Sequence, residues 1–221
     1  PGADSRSASP APTAPATPPA AVAPRQSSYI RTVLKVLTGS AAAQAIPLLV
    51  MLLLARLVSV EALGVYAIWQ AVIYIAIVPA TARMEILLVA LPLASDRRKA
   101  FRIGLFSSIG VGLLLSLVAV LAHGFIEQRL PGWPLSASVL VGLGTWALAM
   151  QTLWLAMAVT SGAFGVVNRI RITSAGLTAL LQVVLVWFWP NGMMLMLGFV
   201  LGTSMGSWAA WIGLKQFLLA H

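Results

Sequence analysis

Cysteine is absent from the 221 residues, which excludes disulfides, thiolate metal sites and thiol catalysis together. Carboxylates are nearly as scarce. The five present, Asp4, Glu61, Glu85, Asp96 and Glu127, are too scattered to offer a metal site or an acid/base pair. His123 and His221 fall in a loop and at the chain end, and neither is given a role. There is no glycine-rich phosphate loop with Lys-Ser/Thr, no HExxH and no nucleophile elbow. An enzyme is therefore not expected, and no cofactor or metal is called for. Charge of either sign is sparse as well. Charged residues make up 9% of the chain, against roughly 25% in a soluble domain.

What fills the chain instead is apolar. Hydrophobic residues reach 60%, and the mean hydropathy is +0.94. This composition fits an all-α, polytopic membrane protein whose first partner is the lipid bilayer. Residues 1–28 are the exception: they are dominated by Pro, Ala, Ser and Thr and hold seven of the thirteen prolines. So little apolar bulk cannot offset the ordering entropy, and a disordered tail is expected there. No short apolar core with a small-residue cleavage site marks it as a signal peptide.

Residues 29–221 read as a bundle of six spans, at about 36–58, 63–93, 103–121, 135–158, 172–189 and 193–214. Pro47 lies inside the first and Pro79 inside the second, where each is expected to bend its helix. Glu61 and Arg83 bracket 21 uncharged residues, ~31 Å of helix, so that crossing is complete before Arg83. Asp96, Arg97, Arg98, Lys99 and Arg102 are expected to form a strongly basic loop. Pro190-Asn191-Gly192 divides the 43 uncharged residues after Arg171 into two spans. Gly104, Ser108 and Gly112, and again Gly198, Gly202 and Gly206, repeat at four-residue spacing, which predicts helix-packing faces. Trp133 is placed at a membrane interface, as are Trp187 with Trp189 and, on the other side, Trp208 with Trp211.

Six spans leave both termini on one side. That side carries Arg25, Arg31, Lys35, Arg97, Arg98, Lys99, Arg102, Arg169, Arg171 and Lys215, and the other only Arg56 and Arg129. Ten against two predicts cytoplasmic termini. The net charge of +9 is thereby explained as topology, and no nucleic-acid partner is expected.

The candidate site lies among the few polar groups inside these spans. On a wheel of about 100° per residue, Tyr66, Gln70, Tyr74, Thr81 and Glu85 share one side of the second span. Arg83, two residues from Glu85, points the other way. An ionisable residue held among apolar runs marks a functional site by default. Glu85, Arg83, Tyr74, Gln70 and Gln44 are accordingly the candidates for a substrate cavity. Gln44, Gln151 and Gln182 also fit a second role as buried amides that bond across helices.

Leu37-Thr-Gly-Ser-Ala-Ala-Ala-Gln44-Ala-Ile-Pro47, Ala55-Arg56-Leu57, Glu61-Ala-Leu-Gly64-Val-Tyr-Ala67 and Arg83-Met-Glu85-Ile, with Leu91-Pro92, form a recognisable set. They resemble the first spans of the oligosaccharide-lipid flippases, the O-antigen and exopolysaccharide exporters of the multidrug/oligosaccharidyl-lipid/polysaccharide superfamily. The resemblance runs from about Val33 to Leu214 and is most specific in its first sixty residues. It implies a bacterial inner-membrane protein that moves an undecaprenyl-pyrophosphate-linked oligosaccharide by alternating access. It implies a second six-span half, or a second copy, as partner. It further implies that Arg83 meets the pyrophosphate, while Glu85 binds a proton or positions Arg83. Loss of glycan export is then expected for Arg83→Ala and Glu85→Gln. An exporter of drugs or small solutes, and a non-transporting assembly subunit or inactive fragment, fit the same residues.

Overall fold

A computed structural model describes residues 26–220, with side chains from residue 44 to 215 and at Leu37 and Ala41. Of the tail expected over residues 1–28, the first 25 lie outside the described residues, while the last three already belong to a helix. The elements are α1 (Gln26–Leu57), α2 (Val60–Thr81), α3 (Met84–Ala90), α4 (Ala94–Leu121), α5 (His123–Arg129), α6 (Leu135–Thr160), α7 (Phe164–Phe188) and α8 (Gly192–Ala220). No strand occurs among the described residues.

Five of these helices, α2, α4, α6, α7 and α8, are long and apolar enough to cross a membrane. In α1 the described apolar stretch is Gln44–Leu57, short of a full span by itself. The outer surface has the character a bilayer requires. On α4, Phe106, Leu113, Leu114, Leu117 and Leu121 are all more than half exposed. A soluble protein rarely shows such a continuous apolar face, whereas a lipid-facing helix needs one. The architecture is that of a multi-pass membrane helical bundle.

α6 and α8 are its centre: 50% and 56% of their apolar windows are buried, against 17% in α4. α6 packs on α2, α4 and α8, and α7 pairs with α8 along its length. The glycine repeats explain both pairings. A Cβ added at Gly198, Gly202 or Gly206 would run into Gln182, Thr178 or Ser174 of α7, a matching four-residue series. Gly112 of α4 likewise meets the backbone of Gly142 in α6. Without a side chain at these points the helix backbones approach closely, and van der Waals contact then replaces contact with lipid.

His123, expected in a loop, opens the short helix α5. Three further sequence expectations change. The second span does not run unbroken to Leu93. Pro79 lacks an N–H to donate to Ile75, and the helix ends at Thr81. Ala82 and Arg83 then both take left-handed conformations, at φ 49° and 57°. Two consecutive non-glycine residues there cost roughly 1–2 kcal/mol each, and they redirect the chain into the separate helix α3. Second, the basic stretch from Asp96 to Arg102 is no loop but the opening turns of α4. Asp96 suits the helix N-terminus and meets Lys99 at 3.6 Å. Third, Trp133 is core rather than interface: it is 4% exposed, and its Nε1 donates to Ser138 Oγ at 3.0 Å. An indole that finds a hydroxyl for its N–H can be buried whole.

The alternation of helices gathers Arg97, Arg98, Lys99, Arg102, Arg169, Arg171 and Lys215 toward one end of the bundle. Arg97 pins that end together. Its Nε donates to Leu91 O at 2.8 Å, its Nη2 to Pro92 O at 2.9 Å and its Nη1 to Thr160 O at 3.4 Å. One guanidinium thus satisfies the linker between α3 and α4 and ties it to the last turn of α6. Arg97→Ala is expected to cost about 1–3 kcal/mol, because two carbonyls in the linker lose their donors. Arg97→Lys should recover little, since an ammonium does not reproduce the planar fork. Thermal unfolding of both variants in detergent checks this, and full recovery by lysine would contradict it.

Candidate functional site

α1 and α2 are consecutive in the chain, yet α1 leans on α7 instead of its neighbour. The gap between them is part of a cavity of ≈ 660 Å³, walled by α1, α2, α6, α7 and α8. Pro47 lies on its wall, mid-helix in α1. Gln44, Leu48, Met51 and Tyr74 are lining residues that remain exposed, so the cavity is open on that side. At the end away from the basic residues it is closed by apolar packing. Leu54, Tyr66 and Phe199 belong both to its wall and to the largest core cluster. Trp69 anchors that cluster, stacked on Tyr66 at 5.9 Å between ring centroids and edge-on to Phe199 at 5.6 Å.

The polar wall is built from three of the predicted stripe residues and from the amides. Tyr66, Gln70 and Tyr74 recur every fourth residue on α2 and face the cavity in line. Gln70 and Tyr74 stand one turn apart on the same side of α2. Gln44 of α1, Gln151 of α6 and Gln182 of α7 converge on the same space. Gln182 is the most constrained of them: its Nε2 donates to Tyr66 Oη at 2.8 Å and to Leu195 O at 3.1 Å. One amide therefore joins α7 to α2 and α8, as the expected interhelical bond, and it lines the cavity as well. Gln44 differs from the buried-amide reading, being exposed at the opening. Tyr66→Phe removes one acceptor of Gln182 and is expected to destabilise by about 1 kcal/mol. Gln182→Leu removes both bonds and should cost more; equal melting temperatures for the two would contradict this network.

The rest of the stripe goes elsewhere. Thr81 is fully buried, and its Oγ1 donates back to Ile77 O at 3.1 Å. The wheel that carried Glu85 alongside Tyr74 requires an unbroken helix, and α2 stops at Thr81. Glu85 sits in the first turn of α3, half-buried, with Oε2 lacking a hydrogen-bond partner among the described residues. Arg83 is exposed and occupies the N-cap position of α3. Neither lines the cavity. Gln44, Gln70 and Tyr74 are brought together; Arg83 and Glu85 are not part of that grouping.

Among the described residues the cation on the cavity wall is Arg171 of α7. In the sequence it stands only among the orientation charges. A signal was present, since Arg169 and Arg171 are two apart on one helix and cannot share a face. Arg169 is exposed and Arg171 half-buried, so the second of the pair turns inward. The cavity thus presents amides, phenols, hydroxyls of Ser174, Thr178 and Thr203, and one guanidinium, opposite an apolar strip of Leu48, Met51 and Leu54. It can hold a molecule that is rich in hydroxyls, carries negative charge and has an apolar part. Comparison of the chain with protein-family models, curated proteins and solved structures finds no match.

Proposed function

We propose that the chain is a six-span half of a lipid-linked oligosaccharide flippase in the bacterial inner membrane, with α1 as its first span and cytoplasmic termini. In this reading it moves an undecaprenyl-pyrophosphate-linked oligosaccharide outward by alternating access, and a second half or second copy faces the open side. The observation that carries it is the convergence of Tyr66, Gln70, Tyr74, Gln44, Gln151 and Arg171 on one cavity. Amides and phenols suit sugar hydroxyls, and a guanidinium suits phosphate oxygens in a bidentate pair. The apolar strip suits the first isoprene units. Apolar closure at one end and basic residues at the other fit a carrier loaded from the cytoplasmic side. Arg83 and Glu85, at that loading end, lie beside the break between α2 and α3, where a change of helix angle would act on the Tyr74 end of the cavity.

A binding assay on the purified chain tests this, using a pyrophosphate-linked lipid oligosaccharide and an amphipathic drug cation in parallel. Saturable binding of the first alone is expected. Binding of the cation alone would assign a small-solute exporter, although Arg171 opposes a positive ligand. Binding of neither would assign a non-transporting subunit.

A further inference from the structure

The face of α8 turned away from the cavity carries two grooves that share one residue. Between α6 and α8 lies a groove of ≈ 340 Å³ walled by Trp146, Trp154, Trp208 and Trp211. Between α7 and α8 lies a second, of ≈ 220 Å³, which includes Arg169 and, again, Trp208. Trp208 is 64% exposed and forms the ridge between them. A second cation completes the set, with Lys215 Nζ 5.5 Å from the centroid of the Trp211 ring. Among the described residues no carboxylate lines either groove.

We infer that this face is a binding site for an anionic phospholipid, with an acyl chain along the indoles and the phosphate between Arg169 and Lys215. The depth fits. Trp208 and Lys215 are seven residues apart on one helix, which is about 10 Å along the axis. The aromatic groove thus lies at acyl depth while Lys215 reaches the headgroups. Both cations belong to the basic end of the bundle, where one leaflet's phosphates sit. A neutral lipid would fill the indole groove equally well but gains little from the two cations, so the charges select an anionic headgroup. The site is separate from the cavity and does not depend on what crosses it.

Tryptophan quenching by brominated lipids tests the site on the full chain in phosphatidylcholine nanodiscs. Brominated phosphatidylglycerol at low mole fraction is expected to quench about 30-fold more effectively than brominated phosphatidylcholine, as two surface cations would give. Trp208→Phe should remove part of that excess, because Trp146, Trp154 and Trp211 still line the groove. The double variant Arg169→Gln/Lys215→Gln should abolish it while leaving the helical spectrum and melting temperature unchanged. Equal quenching by both lipids in the native protein would overturn the inference and leave an ordinary lipid-facing surface. Excess quenching that survives the double variant would overturn it as well. So would loss of quenching with protein concentration, because a second copy would then cover the grooves.

Discussion

Gly202→Val is expected to lower the unfolding temperature of the purified protein by roughly 10 °C. A Cβ at this position would collide with the backbone and hydroxyl of Thr178. Thr178 lies in the middle of α7, so a rotamer change cannot make room; one of the two helices has to move. Overpacking of this kind costs about 1–3 kcal/mol and more where backbone is in the way, and roughly 2–4 °C follows from each kcal/mol in a chain of this size. α7 and α8 form the most extensive pairing in the bundle, and inside a bilayer close packing is the main force holding helices together. The loss would reach the cavity too, because Thr178 and Gln182 of α7 and Thr203 of α8 are part of its wall. Gly176→Val is the control. It lies two residues from Thr178 with open space around its Cβ, and should melt within about 2 °C of the native protein. Equal losses at the two positions would show that valine itself, rather than the close approach, is responsible.

That packing face is legible in the sequence, and the reason is physical. Small residues four apart serve one purpose in a lipid environment, and the three glycines of α8 meet three successive turns of α7. The crossing at Pro190-Asn191 and the span of α6 were equally plain, because charge and turn residues bound them. The stripe of Tyr66, Gln70 and Tyr74 could be read because helix geometry holds from one turn to the next. It failed past Thr81, where the α2 helix ends and two residues adopt positive φ that nothing in Ala82-Arg83 announces. Local pattern also cannot say that α1 packs on α7 rather than on α2, and the existence of the cavity depends on that choice. The residue type of Trp133 alone points to an interface. Its neighbour Ser138, five residues on, supplies the partner that lets it be buried.

Arg171→Gln is expected to weaken binding of a pyrophosphate-linked lipid oligosaccharide about 30-fold, or ~2 kcal/mol, the typical worth of a charge-assisted hydrogen-bonding group. Arg83→Ala is expected to change binding less than about threefold, since an exposed side chain off the wall contributes at most a screened attraction. Arg171→Lys separates charge from geometry. It keeps the cation and loses the fork, so an intermediate loss indicates that the pyrophosphate is gripped bidentately. Gln70→Leu and Gln44→Leu should each lower affinity by a smaller factor, about threefold to tenfold, because each removes one neutral contact to a sugar hydroxyl. Melting temperatures measured alongside separate lost binding from lost folding. The decisive comparison is between the two arginines. Both stand near the basic end of the bundle, so a general attraction of anions would weaken equally with either one removed. A cavity that recognises the pyrophosphate responds to Arg171 far more than to Arg83. The reverse order would place the recognition site at the break between α2 and α3 and leave the cavity to the sugar alone.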